Sequence, residues 1–204
     1  MNASITSFRD NSNSIKRLGY LYDLIITNFP LLKEQAEEIL RAQVMLIVSS
    51  LDCYIHDCVK VGILEIFQGS RTASNTTNSY PIEFLSLQQI NSSTDIPTKL
   101  LFLEEAIKNK NSKDTYQSPK GIEYALSLIN IDKIWTKISS NMGMPAADVK
   151  DKLSLIIDRR NKIAHEADRD NLTGGKILID KVLVDDVISF IDKLVENIFL
   201  LVIQ

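Results

Sequence analysis

The feature that most constrains this chain lies between Leu31 and Phe67. Leu40, Val44, Ile47, Val48, Leu51, Ile55, Cys58, Val59, Gly62 and Ile66 follow one another at spacings of mostly three and four residues. That is the period of one face of an α-helix. A helix of that length with one continuous apolar stripe is the spine of a helical bundle, because the stripe must be covered by other elements.

The rest of the chain supplies those elements. A first helix is expected over about Ser4 to Asn28 and ends before Phe29-Pro30, since the residue before proline avoids the helical region. A short piece is expected around Pro81 to Gln89. Helices follow over Ile96 to Lys108, Lys120 to Asn130, Ile131 to Asn141, Pro145 to about Ala167, and Val184 to Ile203. Pro145 suits a helical first turn, and Asp185 and Asp186 suit a helix N-terminus. Gly69 to Ser79 (GSRTASNTTNS) reads as a polar loop insert with nothing to bury, and Asn171 to Gly175 as a turn. Only Lys176 to Leu183 (KILIDKVL) reads as a stretch able to be extended. The expected architecture is all-α, a single domain over residues 1–204, with no substantial sheet.

Composition narrows the function classes. At 204 residues, 45% hydrophobic, the chain can bury a sizeable core and is not disordered. A net charge of −3 argues against coating nucleic acid by bulk charge, though not against a local basic site. No secretory leader is expected from the polar N-terminus. Val182 to Ile203 is broken by Asp185, Asp186, Asp192, Lys193 and Glu196, so no membrane span is expected. Cys53 and Cys58 fall on different faces of one helix and suggest no disulfide. The expected location is the cytoplasm.

The most informative residue is an arginine. Rotating Leu153 to His165 by about 100° per residue places Leu153, Ile156, Ile157, Ile163 and Ala164 on one apolar face, with Arg160 near its middle. Such an arginine either snorkels outward at a helix end or points into a buried or interfacial polar site. The second reading is favoured here, and it demands a paired acid or an anionic ligand. Asp158, Asn161, Lys162 and His165 lie on the opposite side, and Asn161 stands four residues before His165, close enough to orient the imidazole. Arg160 and His165 are roughly 140° apart on an ideal helix. A single tight site therefore needs a distorted helix, another element or another subunit. A composite site at a symmetric dimer interface is the favoured arrangement.

Asp52 and His56 form an i, i+4 pair at the edge of the long stripe. Two readings stand: a helix surface pair, or a partner for Arg160 on the second motif helix. A zinc site from Cys53, His56, Asp57 and Cys58 is disfavoured, because the cysteines diverge and no CxxC is present. Gly174-Gly175 lacks phosphate-loop spacing. Ser49, Ser50 and Cys53 lack a base at triad spacing. Lys108, Lys110, Lys113 and Lys120 read as a solvated loop that could also track phosphates.

The string from Arg159 to Asp168 (RRNKIAHEAD) resembles the signature of the HEPN superfamily, an Arg followed by a polar residue and then a His after four to six residues. The full string is similar to the RiboL-PSP branch. LDCYIHD at Leu51 to Asp57, TYQSP at Thr115 to Pro119 with Ile122, and Ile134-Trp135 resemble that branch too. The resemblance runs from about residue 36 to the end, and Gly69 to Ser79 matches nothing in it. It implies an all-helical bundle that dimerises and acts as a metal-independent endoribonuclease without a cofactor, of toxin or antiviral effector type. The products would be a 2′,3′-cyclic phosphate and a 5′-hydroxyl. Carried over by position, His165 is the general acid or base, Arg160 binds the scissile phosphate, and Asn161 orients one of them or hydrogen-bonds the phosphate. Arg159 and Lys162 would hold flanking phosphates. Glu166 and Asp168 would tune or cap.

The implied partners are an RNA substrate, a second copy of the chain or a higher even oligomer, and a regulatory antitoxin or sensor. The alternative is a non-catalytic helical module that dimerises or docks a partner, with Arg160 as an interfacial anchor. RNA binding without cleavage is a third reading.

Overall fold

A computed structural model describes residues 1–170 and 172–204. Helix covers 76% of the chain and the described residues form no strand, so the fold is all-α. Among the described residues the one β-like feature is an isolated antiparallel bridge between Arg169 and Lys176, beside the segment expected to turn and at the start of the one able to extend.

The elements are α1 (Asn2–Asn28), a 3-10 turn (Pro30–Leu32), α2 (Lys33–Phe67), α3 (Asn75–Asn78), α4 (Phe84–Ser92), α5 (Ile96–Asn111), α6 (Pro119–Ser127), α7 (Ile134–Met142), α8 (Ala146–His165) and α9 (Lys181–Val202). Their ends follow local chemistry. Phe29, the residue before Pro30, leaves the helical region at φ −136° and ψ 63° and stops α1. Asp95, Ser118 and Asp180 cap α5, α6 and α9 by accepting from Thr98 N (2.9 Å), Gly121 N (3.0 Å) and Leu183 N (2.8 Å). The Asp180 cap starts α9 three residues earlier than the apolar pattern alone suggests.

The chain forms two compact units, Asn2–Tyr54 with Trp135–Gln204, and Ile55–Ile134 with Met1. Helix α2 contributes residues to both. In the first unit α9 buries Val184, Val187, Ile188, Phe190, Ile191, Leu194, Val195, Ile198 and Val202. Helix α1 lies along it, held by a two-point Arg9–Glu196 pair (2.7 Å each) and by Ser12 and Lys16 on Asp192 (2.6 Å each). Gln43 of α2 donates to the Ile15 carbonyl (2.9 Å). Helix α8 meets α9 through Lys152, which pairs with Asp186 (2.8 Å) and lies over the Phe190 ring.

In the second unit α2 packs closely on the segment after α6. A Cβ at Gly62 would fall 2.4 Å from Ile129 Cγ2 and 2.8 Å from its Cβ, so only glycine permits that approach. The stretch expected to be a plain polar loop has a structural task. It contains α3 with a Ser74–Thr77 capping box. Its side chains donate to carbonyls at the C-terminal end of α6: Ser74 Oγ to Ser127 O (2.7 Å) and Thr77 Oγ1 to Leu128 O (2.6 Å). Ser127 O also accepts from Asn130 N (3.2 Å), and the Thr77 hydroxyl serves the Leu128 carbonyl just beyond the helix end, where intrahelical donors run out. Asn111 accepts from Tyr80 (2.9 Å) and Tyr116 (3.2 Å). Burial, reinforced by Asp114, pushes both phenols well above the ordinary tyrosine range.

Candidate active site at the end of helix α8

Helix α8 carries Val149, Leu153, Ile156 and Ile157 into the core. Beyond Ile157 its apolar face opens: Ile163 is half-buried and Ala164 exposed, rather than continuing the stripe. Arg160 stands at that transition. It is half-buried, its Nε is buried with no hydrogen-bond partner, and its Nη1 donates to Asn161 Oδ1 at 3.0 Å. Among the described residues no acid pairs with it. Asn161 therefore meets the arginine rather than the imidazole. His165 is the last residue of the helix and is exposed. Lys162, also in the last turn, is exposed, and both bases sit where the helix dipole favours positive charge.

Arg159 has a different fate. Its Nη2 donates to Asp168 Oδ2 (2.9 Å) and to the carbonyls of Leu178 (3.1 Å) and Ile177 (3.3 Å). Burial lowers its pKa below the ordinary arginine value, and Asp168 opposes that shift. The residue expected to grip a flanking phosphate is largely committed to the protein.

Asp168 is the centre of that commitment. It is 1% exposed, and the same Oδ2 accepts from Arg41 Nε at 2.7 Å. Arg41 is 3% exposed and reaches the Ile177 carbonyl through Nη2 (2.9 Å). Glu38 approaches Arg41 Nη1 at 3.3 Å and also pairs with Lys176. The carboxylate reaches this place by a sharp reversal. Glu166 N and Asp168 N both donate to the Lys162 carbonyl (2.9 and 3.0 Å), while Ala167 and Asp168 adopt φ of 50° and 55°. Each such non-glycine residue costs about 1–3 kcal/mol unless its surroundings hold it there. Two guanidinium groups on one carboxylate do so. Ile177 N donates to the Asp168 carbonyl (2.8 Å) and closes the loop.

The sequence reading missed Arg41 as a functional element, although its signal was the one that exposed Arg160. Arg41 lies three residues before Val44 and seven before Val48, an arginine in the stripe of α2.

The remaining candidates sit on α2. Asp52 is half-buried in the unit that holds α8. His56 belongs to the other unit, half-buried, with its ring 4.5 Å from that of Tyr116. Cys53 is exposed and Cys58 buried, without a disulfide. Among the described residues no three His, Cys, Asp or Glu side chains cluster as a metal site, and no helix is long and apolar enough to cross a membrane.

An all-helical fold whose eighth helix carries an arginine with no acid paired to it among the described residues, five residues before an exposed terminal histidine, defines a helical domain built around an Arg-x4-His motif. The RiboL-PSP-HEPN family model matches residues 9–204. This chain belongs to that family. Nothing matches it among curated proteins or among solved structures.

Proposed function

We propose that this protein is an endoribonuclease that cleaves RNA without a metal ion, using Arg160 and His165. The observation that carries the reading is the state of Arg160. Its guanidinium is half-buried, aligned by Asn161, and left without an acid among the described residues, on the helix that ends in an exposed His165. A cation in that condition is matched to an anion brought from outside.

The chemistry needs few groups. The RNA 2′-hydroxyl loses its proton to a base and attacks the adjacent phosphorus. The bond from phosphorus to the 5′-oxygen breaks, and that oxygen takes a proton from an acid. The products are a 2′,3′-cyclic phosphate and a 5′-hydroxyl. Imidazole serves either proton transfer near neutral pH, and such transfers contribute roughly 10²–10⁴-fold. Arg160 neutralises charge that accumulates on the phosphorane oxygens. Asn161 holds Arg160 in place. Lys162 meets a flanking phosphate, while Arg159 adds positive potential rather than a free grip. Asp52, in the same unit, is a supporting candidate from α2.

Base and acid act in the same step, and His165 occurs once per chain. A symmetric dimer supplies two copies of the motif, so a site shared between subunits is the favoured arrangement. A nuclease of toxin or antiviral effector type is the proposed setting, and the hazard of a free nuclease to its own cell calls for a restraining partner.

The test is cleavage of RNA in excess EDTA by wild type and His165→Ala, with the product termini identified. Wild-type cleavage with cyclic phosphate ends, absent in His165→Ala, is expected. Undiminished cleavage by His165→Ala would refute the mechanism. An inactive wild type whose assembly fails in Arg160→Ala would favour the docking module.

A further inference from the structure

We propose that Asp168, gripped by Arg41, is the positioning residue that fixes His165 for proton transfer, an inference that rests on the ribonuclease reading. His165 is exposed at the helix end, and among the described residues its imidazole makes no hydrogen bond. Its placement is therefore set by the backbone on either side. Upstream is α8. Downstream, only Glu166 and Ala167 separate it from a carboxylate that is buried and bonded to two arginines from different helices.

The two left-handed residues Ala167 and Asp168 make this connection stiff. Their conformation ends the helix at a defined residue, with two amide groups sharing the Lys162 carbonyl. Release of the Asp168 carboxylate removes the reason for that conformation, and the last turn of α8 is then free to unwind or extend. The arginines do not touch substrate in this account. They determine where the imidazole stands.

The arrangement also gives the two adjacent arginines separate duties. Arg41, Arg159 and Lys176 are answered by Asp168, Glu38 and, at 3.8 Å from Arg41, Glu37. Arg160 stays outside this neutral set.

The experiment compares wild type, Asp168→Asn and Arg41→Lys. Single-turnover cleavage, RNA binding and the imidazole NMR signals are followed in each. The chain has two histidines, so His56 serves as an internal reference. In Asp168→Asn the cleavage rate is expected to fall roughly ten- to hundredfold while RNA affinity changes less than twofold. The His165 signals shift or broaden and those of His56 stay in place. Arg41→Lys, which keeps the charge and loses the fork, moves both readouts in the same direction to a smaller extent. It stands in for Asp168→Asn if that variant fails to fold. A folded variant with wild-type rate and unmoved His165 signals overturns the positioning role and leaves the ribonuclease reading intact. Displaced His165 signals in a protein whose wild type cleaves no RNA uphold the positioning and overturn the nuclease.

Discussion

Arg159 and Arg160 are neighbours on one turn of α8, and they live in opposite electrostatic conditions. Arg159 joins a closed set in which arginines, a lysine, an aspartate and glutamates answer one another. Arg160 has an amide for company and, among the described residues, no carboxylate, although the Nε of both arginines is buried without a hydrogen-bond partner. A closed set holds the chain in shape, whereas an open cation waits for charge from outside. Identical side chains, one residue apart, are divided by what the loop after His165 folds back to offer them.

That contrast is sharpest in stability. Arg41→Ala leaves Asp168 buried beside a single arginine and is expected to cost about 3–5 kcal/mol, read by denaturant unfolding. Arg160→Ala is expected to change stability by less than about 0.5 kcal/mol, because no folded-state charge depends on it. A loss at Arg160 as large as that at Arg41 would erase the distinction.

Two further substitutions measure ordinary packing and capping on the same scale. Gly62→Ala forces a methyl group into Ile129 and should cost about 1–3 kcal/mol in thermal or denaturant unfolding. Asp180→Ala removes the cap of α9 and should cost about 1 kcal/mol. Both should leave His165 NMR signals where they are, unlike changes at Asp168.

The smallest effect concerns the exposed pair joining α1 to α9. The Arg9 guanidinium holds the Glu196 carboxyl below its ordinary value. A carboxylate lowered on folding contributes stability above its unfolded pKa, near 4.3, and that contribution fades as pH falls through the lower folded value. Wild type and Glu196→Gln should therefore differ slightly in Tm at neutral pH and converge in acid. A gap that widens on acidification would contradict the assignment.

Much of this was legible in the sequence. The stripe of α2 and the pattern of α8 gave their helices, because a buried face enforces the helical period. Arg160 stood out because charge on an apolar face demands an answer. Arg41 carries the same local signal as Arg160, an arginine in an apolar stripe, but nothing in the sequence joins it to Asp168, because their contact spans 127 residues. The polar segment around Ser74 and Thr77 was opaque for another reason. Its partners are backbone carbonyls of α6, and carbonyls carry no sequence signal. The shortened apolar face of α8 was likewise invisible to periodicity, which places residues around an axis without saying where neighbours end.

In the proposed mechanism Arg160 and His165 perform the chemistry, Asn161 aligns Arg160, and Asp168, gripped by Arg41 and Arg159, positions His165. Its most direct test is single-turnover RNA cleavage in EDTA by wild type, Arg160→Ala and His165→Ala, with unfolding curves recorded on the same samples. Cyclic phosphate products are expected from wild type alone, with near-identical stability for all three. Cleavage that survives in either variant at the wild-type rate would contradict the mechanism.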